Sequence, residues 1–184
     1  HFLYNSMNTI AALTRSDPAR AEEAVQDLSD LFRAALSEKR SLITLKEELE
    51  IARIYQRIEQ LRLGDRLRVR WDVRDLPMRA LVPSLTVQPL LENAIGHGVE
   101  NLPGGGEVIV EGRGEDGRIV LAVRNPVPTD LQGRAGHGIA LDNIRERFAL
   151  LYGTGADVSA TREGGEFVVR LQFPHTQAAG EGVA

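Results

Sequence analysis

Apolar side chains recur every three to four residues through the first sixty positions, and the period then shortens to two. Leu3, Met7 and Ile10, with Leu13 close to the same face, predict a helix over Phe2 to Arg15. Ser16-Asp17-Pro18 breaks it. Proline suits the first turn of a new helix, and Ser16 or Asp17 can cap it. The second helix carries Val25, Leu28, Leu31, Phe32, Ala35 and Leu36 as one stripe and is expected to end near residues 37–40. Thr44-Leu45-Lys46-Glu47 has capping-box form and opens a third helix that runs to Leu63, where Gly64 stops it.

From Arg66 to Val73 polar and apolar residues alternate, which predicts a half-buried strand. Pro83 is expected to begin a helix through about Gly98, kinked at Pro89. Glu107 to Glu111 and Arg118 to Val123 read as strands of a hairpin joined by residues 112–117. Asn125 to Ala135 is irregular. A helix follows over Gly138 to Tyr152, then a last hairpin of Val158 to Thr161 and Phe167 to Phe173 around Gly164-Gly165. The expected organisation is α+β: a helical region over 1–64, a mixed α/β unit over 65–174 and a flexible tail over 175–184. The helical region carries more apolar face than one hairpin can bury, so it is expected to pair with another copy.

Composition narrows this picture. With 42% hydrophobic residues, the 184-residue chain can bury a core. A net charge of −4 with scattered basic residues gives no nucleic-acid footprint. No apolar run reaches the roughly 18 residues of a membrane span. Cysteine is absent, which removes disulfides and thiolate metal sites. A chain that opens at His1 reads as a segment of a longer protein.

Three places can carry chemistry. In Leu90 to Gly98, Asn93 offers an amide oxygen to a hard cation such as Mg²⁺, Glu92 can bind or orient a water, and His97 lies one helical turn beyond Asn93. The plain alternative is a solvated helix end with a glycine cap. Gly136-His137-Gly138 precedes a helix, where free amides and the helix N-terminus favour phosphate. A flexible loop is its plain alternative. Arg145 and Arg147 are two apart and point to different faces, so at most one aims at such a site. Finally, His1, Asn5 and Asn8 form a polar stripe, and a neutral imidazole is a competent nucleophile toward phosphorus. An exposed histidine of no significance is the alternative there.

Taken together, these blocks resemble the cytoplasmic part of sensor histidine kinases of the LytS/YehU type, over roughly residues 1–174. His1-Phe2-Leu3-Tyr4-Asn5-Ser6-Met7-Asn8 resembles the family's phosphoacceptor motif. Leu42 to Leu67, with Leu45, Glu47, Glu48, Leu49, Tyr55, Ile58, Arg62 and Arg66, resembles its second conserved stretch. Val82-Pro83 through Gln88-Pro89-Leu90-Leu91-Glu92-Asn93-Ala94 and His97-Gly98 resembles its N box, and Gly136 through Arg147 its G box.

The resemblance implies a helical dimerisation and phosphotransfer region followed by an α/β sandwich that binds ATP, of the gyrase–Hsp90–histidine kinase–MutL type. It implies ATP and Mg²⁺, with His1 accepting the γ-phosphate, Asn93 holding the metal and Glu92 a candidate proton acceptor. Gly136 and Gly138 would line the phosphates, Asn125 would meet adenine, and His97, Asn143 and Arg147 would complete the nucleotide contacts. It further implies a homodimer, a response regulator as partner (often one with a LytTR DNA-binding domain), and an inner-membrane sensor whose membrane part lies upstream. Two features depart from the family pattern, and a third departs from other histidine kinases. Gly96 stands where Lys or Arg is usual, and Asn125 where Asp is usual. Phe2 follows the histidine where many other histidine kinases place an acid, although this is normal for the family. Two other classes fit the same residues: a degenerate kinase acting as a dimeric binding module, and another ATPase or protein kinase on the same fold.

Overall fold

A computed structural model of the chain describes residues 2–36, 41–128 and 138–177. In chain order the elements are α1 (Phe2–Ser16), α2 (Pro18–Leu36), β1 (Leu42–Thr44), α3 (Leu45–Leu63), β2 (Leu67–Asp75), β3 (Leu81–Pro83), α4 (Val87–Asn93), β4 (Gly106–Glu115), β5 (Arg118–Pro126), α5 (Gly138–Tyr152), β6 (Asp157–Glu163) and β7 (Glu166–Pro174).

Helices α1 and α2 form a tight hairpin at Asp17, whose carboxylate accepts the Arg20 N–H at 3.2 Å and so caps α2. Small residues Ala21 and Ala24, with Leu28 and Leu31, make the buried side of α2. Asp27 on α2 grips Arg57 on α3 through two bonds of 2.6 and 2.8 Å. The capping box of α3 is complete. Glu47 N–H donates to Thr44 Oγ1 at 3.2 Å, and Thr44 N–H donates to the Glu47 carboxylate at 2.8 Å. At the far end Gly64 takes φ +57°, a value that favours glycine.

The main sheet has the order β2-β4-β5-β7-β6, with β2 and β4 parallel and the remaining pairs antiparallel. Alternation along the strands buries Val108 and Val110, Ile119, Leu121 and Val123, and Leu171 and Phe173 in one core. That core also takes Leu49 and Ile58 from α3, Leu91 from α4, and Ile144 and Phe148 from α5. Asp116-Gly117 and Gly164-Gly165 each hold two consecutive positive φ values, as two-residue hairpin turns require.

Several expectations change. Helix α3, the last of the helical region, packs against α2 on one side and α4 on the other, so the two regions are in contact. In addition, β1 pairs with β3, tying the start of α3 to the mixed unit. The helix expected from Pro83 begins at Val87, since Pro83 completes β3. Pro89 is the third residue of α4, where the N–H that proline lacks has no helical acceptor, so no kink results. The irregularity comes later, as a π turn over Ala94–Gly98. The start of the expected tail is held: His175 N–H donates to Gly117 O at 2.9 Å, and Leu81 N–H donates to Thr176 O at 2.7 Å. Among the described residues no helix is long and apolar enough to cross a membrane.

Candidate functional site

Glu92 and Asn93 close α4, and the π turn carrying His97 follows directly. Glu92 is exposed and accepts the Gln88 side-chain amide at 3.3 Å. His97 is exposed, while Asn93 is half-buried and turned toward the sheet. Across from it stands Asn125 on β5, only 3% exposed, with its Nδ2 donating to Pro126 O at 2.9 Å. The two amides line one narrow cleft between α4, α5 and the sheet, walled by Leu90, Val123, Leu141 and Phe167. The cleft measures about 10 Å³, room for about one water.

Gly98 explains how Asn125 fits. A Cβ there would overlap Asn125 Nδ2 and lie 2.8 Å from Pro126 O. Only glycine lets the end of the π turn pass so close to β5. Gly96 is different, because a Cβ there would meet nothing within 4 Å. Asn143 is exposed on α5, two residues beyond Leu141. His1 and Gly136 lie outside the described residues, as does most of the irregular segment after Asn125. Gly138 is the first residue of α5.

Arg147, on α5, reaches the turn that leads into α4. Its guanidinium donates to Ser84 O and, at 2.6 Å, to Leu85 O. Burial lowers its pKa, and the nearby Glu48 carboxylate opposes that shift. Glu48 approaches the same turn from α3. It is fully buried, and its carboxylate accepts the N–H groups of Leu85 (3.0 Å), Thr86 (2.7 Å), Val87 (2.7 Å) and Gln88 (3.3 Å). Burial raises its pKa, while each of these four donors pulls it back down. Leu85, between the two side chains, holds φ +56°, a conformation costing about 1–2 kcal/mol for a residue with a Cβ. Helix α3 also secures the far end of the segment. Arg62 bridges the buried Glu59 and, at 2.6 Å, Glu100, while Arg66 donates to Glu100 O at 3.2 Å and Leu102 O at 3.1 Å.

Sequence reasoning quoted Glu48, Arg62 and Arg66 within a motif without assigning them work. The available signal was an acid within helix 45–63 and arginines at its last turn and just beyond it, among many other charged residues of the same helix. Among the described residues no group of three His, Asp or Glu side chains could hold a metal unaided. An amide such as Asn93 therefore suits a cation that brings most of its own oxygen ligands.

The fold, a five-stranded mixed sheet sharing its core with three helices, is that of histidine kinase catalytic domains. The chain resembles the catalytic domain of histidine kinase ThkA (TM-score 0.56, 12% identity, covering 73% of this chain and 96% of that one). It also resembles the histidine kinase domain of the Erythrobacter litoralis EL346 blue-light activated kinase (TM-score 0.54, 18% identity, covering 90% and 80%). Residues 1–67 match the histidine kinase family model. The chain is 31% identical over 176 residues to the sensor histidine kinase YesM of Bacillus subtilis, covering 92% of this chain and 30% of YesM. It is 34% identical over 157 residues to the sensor histidine kinase BtsS of Escherichia coli K12, covering 83% and 28%. It is 33% identical over 170 residues to the sensor histidine kinase/phosphatase LytS of Staphylococcus aureus, covering 85% and 29%. The chain thus resembles sensor histidine kinases over nearly its whole length, in keeping with the LytS/YehU type. It spans under a third of the length of these relatives.

Proposed function

We propose that this chain is the phosphoacceptor and ATP-binding part of a two-component sensor kinase, which transfers the γ-phosphoryl group of ATP to His1 and then to an aspartate of a response regulator. The observation that carries the reading is the meeting of Asn93 and Asn125 in one apolar cleft beside α5. Flat apolar walls with an amide at the edge suit adenine, and the second amide suits a metal bound to phosphate. The donor set therefore fits Mg-ATP, and a cleft sized for one water requires α4 or α5 to shift for adenine to enter.

In this reading Asn93 holds the metal, Asn125 hydrogen-bonds the adenine edge, and amides at Gly136 and Gly138 meet phosphate oxygens. Bound Mg²⁺ would offset phosphate charge. His97 and Asn143 complete the nucleotide contacts, and Glu92 is the candidate acceptor for the imidazole proton. The His1 imidazole attacks phosphorus as a neutral nucleophile, so positioning and electrostatics carry most of the catalysis.

A second copy of the chain completes the helical region. Leu3, Tyr4 and Met7 on α1 and Val25, Phe32 and Leu36 on α2 stay exposed at helical spacing after α3 has covered the opposite side. This is the stripe that a four-helix pairing buries. Light scattering on the full-length protein should give a dimer. Thermal unfolding with Mg-ATP tests the nucleotide site: ligand at a hundred times its Kd adds about 2.7 kcal/mol. No shift at millimolar Mg-ATP would contradict the reading.

A further inference from the structure

We infer that Glu48 and Arg147 are positioning residues for the metal side of the nucleotide site, acting together as a clamp on the turn Ser84–Gln88. The inference rests on the ATP-site reading above and assigns work to two charged groups, Glu48 buried and Arg147 half-buried, that do not line the cleft.

Both backbone polar groups of Leu85 are held by side chains from elsewhere in the fold. Its N–H meets Glu48 Oε2 at 3.0 Å, and its carbonyl meets Arg147 Nη2 at 2.6 Å. The same carboxylate takes the first free N–H groups of α4, so the helix is capped by a residue 38 positions upstream of Thr86. The residue at the cap position, Thr86, makes no side-chain capping bond of its own. Its hydroxyl donates instead to Pro83 O at 2.7 Å.

Helix α4 is only seven residues long and ends at Asn93. Such a helix does not hold its own ends. Beyond Asn93 the π turn interrupts regular helix, so the direction of the Asn93 amide is set from the clamped end. Arg147 comes from α5, the helix that opens at Gly138; it is half-buried, and its Nε is enclosed without a hydrogen-bond partner, a costly placement for a guanidinium. That cost is borne where it fixes the spacing between α5 and α4. Asn125, by contrast, stands on β5 and is steadied by Pro126 O, outside the reach of the clamp. The clamp therefore governs the metal side of the site and leaves the adenine side alone.

The test uses calorimetric titration of the full-length protein with ADP, first without divalent cation and then with Mg²⁺, for the parent, E48Q and R147K. Glu48→Gln keeps the side-chain volume but places an amide donor among N–H groups. Arg147→Lys keeps the charge but loses the two-pronged grip. Each variant is expected to retain metal-free ADP affinity within twofold while the Mg²⁺-dependent gain falls about tenfold, as for partners that orient a ligating group. Amide exchange at 85–91 should accelerate while the sheet stays protected. If E48Q does not fold, R147K decides, since it acts on the same turn from the other side. A folded variant with the full Mg²⁺ gain overturns the inference, as does equal loss with and without metal. Failure of the parent to bind ADP at all would refute the ATP-site reading, and the positioning role with it.

Discussion

Replacing Gly98 by alanine adds one methyl group at the tightest approach between the π turn and β5. The new Cβ would overlap Asn125 Nδ2, stand 3.0 Å from Asn125 Cγ and 2.8 Å from Pro126 O. The Pro126 carbonyl belongs to a strand paired with β7 and yields little, so the Asn125 amide must swing away. That breaks its bond to Pro126 O, worth about 1 kcal/mol. Overpacking in a filled core adds about 1–3 kcal/mol. The sum, about 2–4 kcal/mol, corresponds to a fall in Tm of roughly 4–16 °C for a chain of this size. Urea and thermal denaturation of G98A measure it directly. The reasoning also predicts non-additivity. With Asn125 already alanine, the closest clash is gone and only Pro126 O remains, so the added methyl should cost about half as much. A G98A protein within 0.5 kcal/mol of its parent, or an unchanged cost in the N125A background, would refute it; the half-kilocalorie line is about the size of an ordinary surface substitution.

Other consequences are as direct. Thr44→Ala removes one arm of the α3 capping box and should cost about 1 kcal/mol by urea denaturation, with no change in nucleotide affinity. Arg62→Met leaves Glu59, 3% exposed, without its cation and should cost about 3–5 kcal/mol, whereas the E59Q/R62M double variant should recover much of that stability. Gly96→Lys meets open space and replaces glycine within a helical turn, so it should stabilise the fold by about 0.5–1 kcal/mol and tighten Mg-ATP binding in titration. Asn93→Ala should leave the fold intact and abolish the Mg²⁺-dependent part of the ATP-induced thermal shift.

What was legible in the chain was whatever local chemistry decides. The capping box at Thr44, the stop at Gly64 and the Gly164-Gly165 turn all lie where a few adjacent residues set the conformation. The hairpin at 112–117 was legible as a turn, but only Asp116-Gly117 is turn and the strands run up to it on both sides. Strands β1 and β3 are three residues each, too short to carry a period, and their pairing is non-local. The start of α4 was misplaced at Pro83 for a related reason. Its cap is Glu48 from another helix, and no nearby residue signals it. Arg147 shows the same limit. Spacing says that it diverges from Arg145, but only the packing of α5 shows it bonding to Ser84 and Leu85. Asn93 was identifiable by motif and Asn125 only as the residue standing where Asp is usual, and their convergence on one cleft depends on the fold.

The central claim is that phosphate moves from ATP to His1. Incubating the full-length protein with γ-labelled ATP and Mg²⁺, beside its His1→Gln variant, tests that claim most directly. The account predicts acid-labile, base-stable label on the parent, and none on the variant, which still binds Mg-ATP. Label that survives acid, or that persists on the His1→Gln protein, would contradict it.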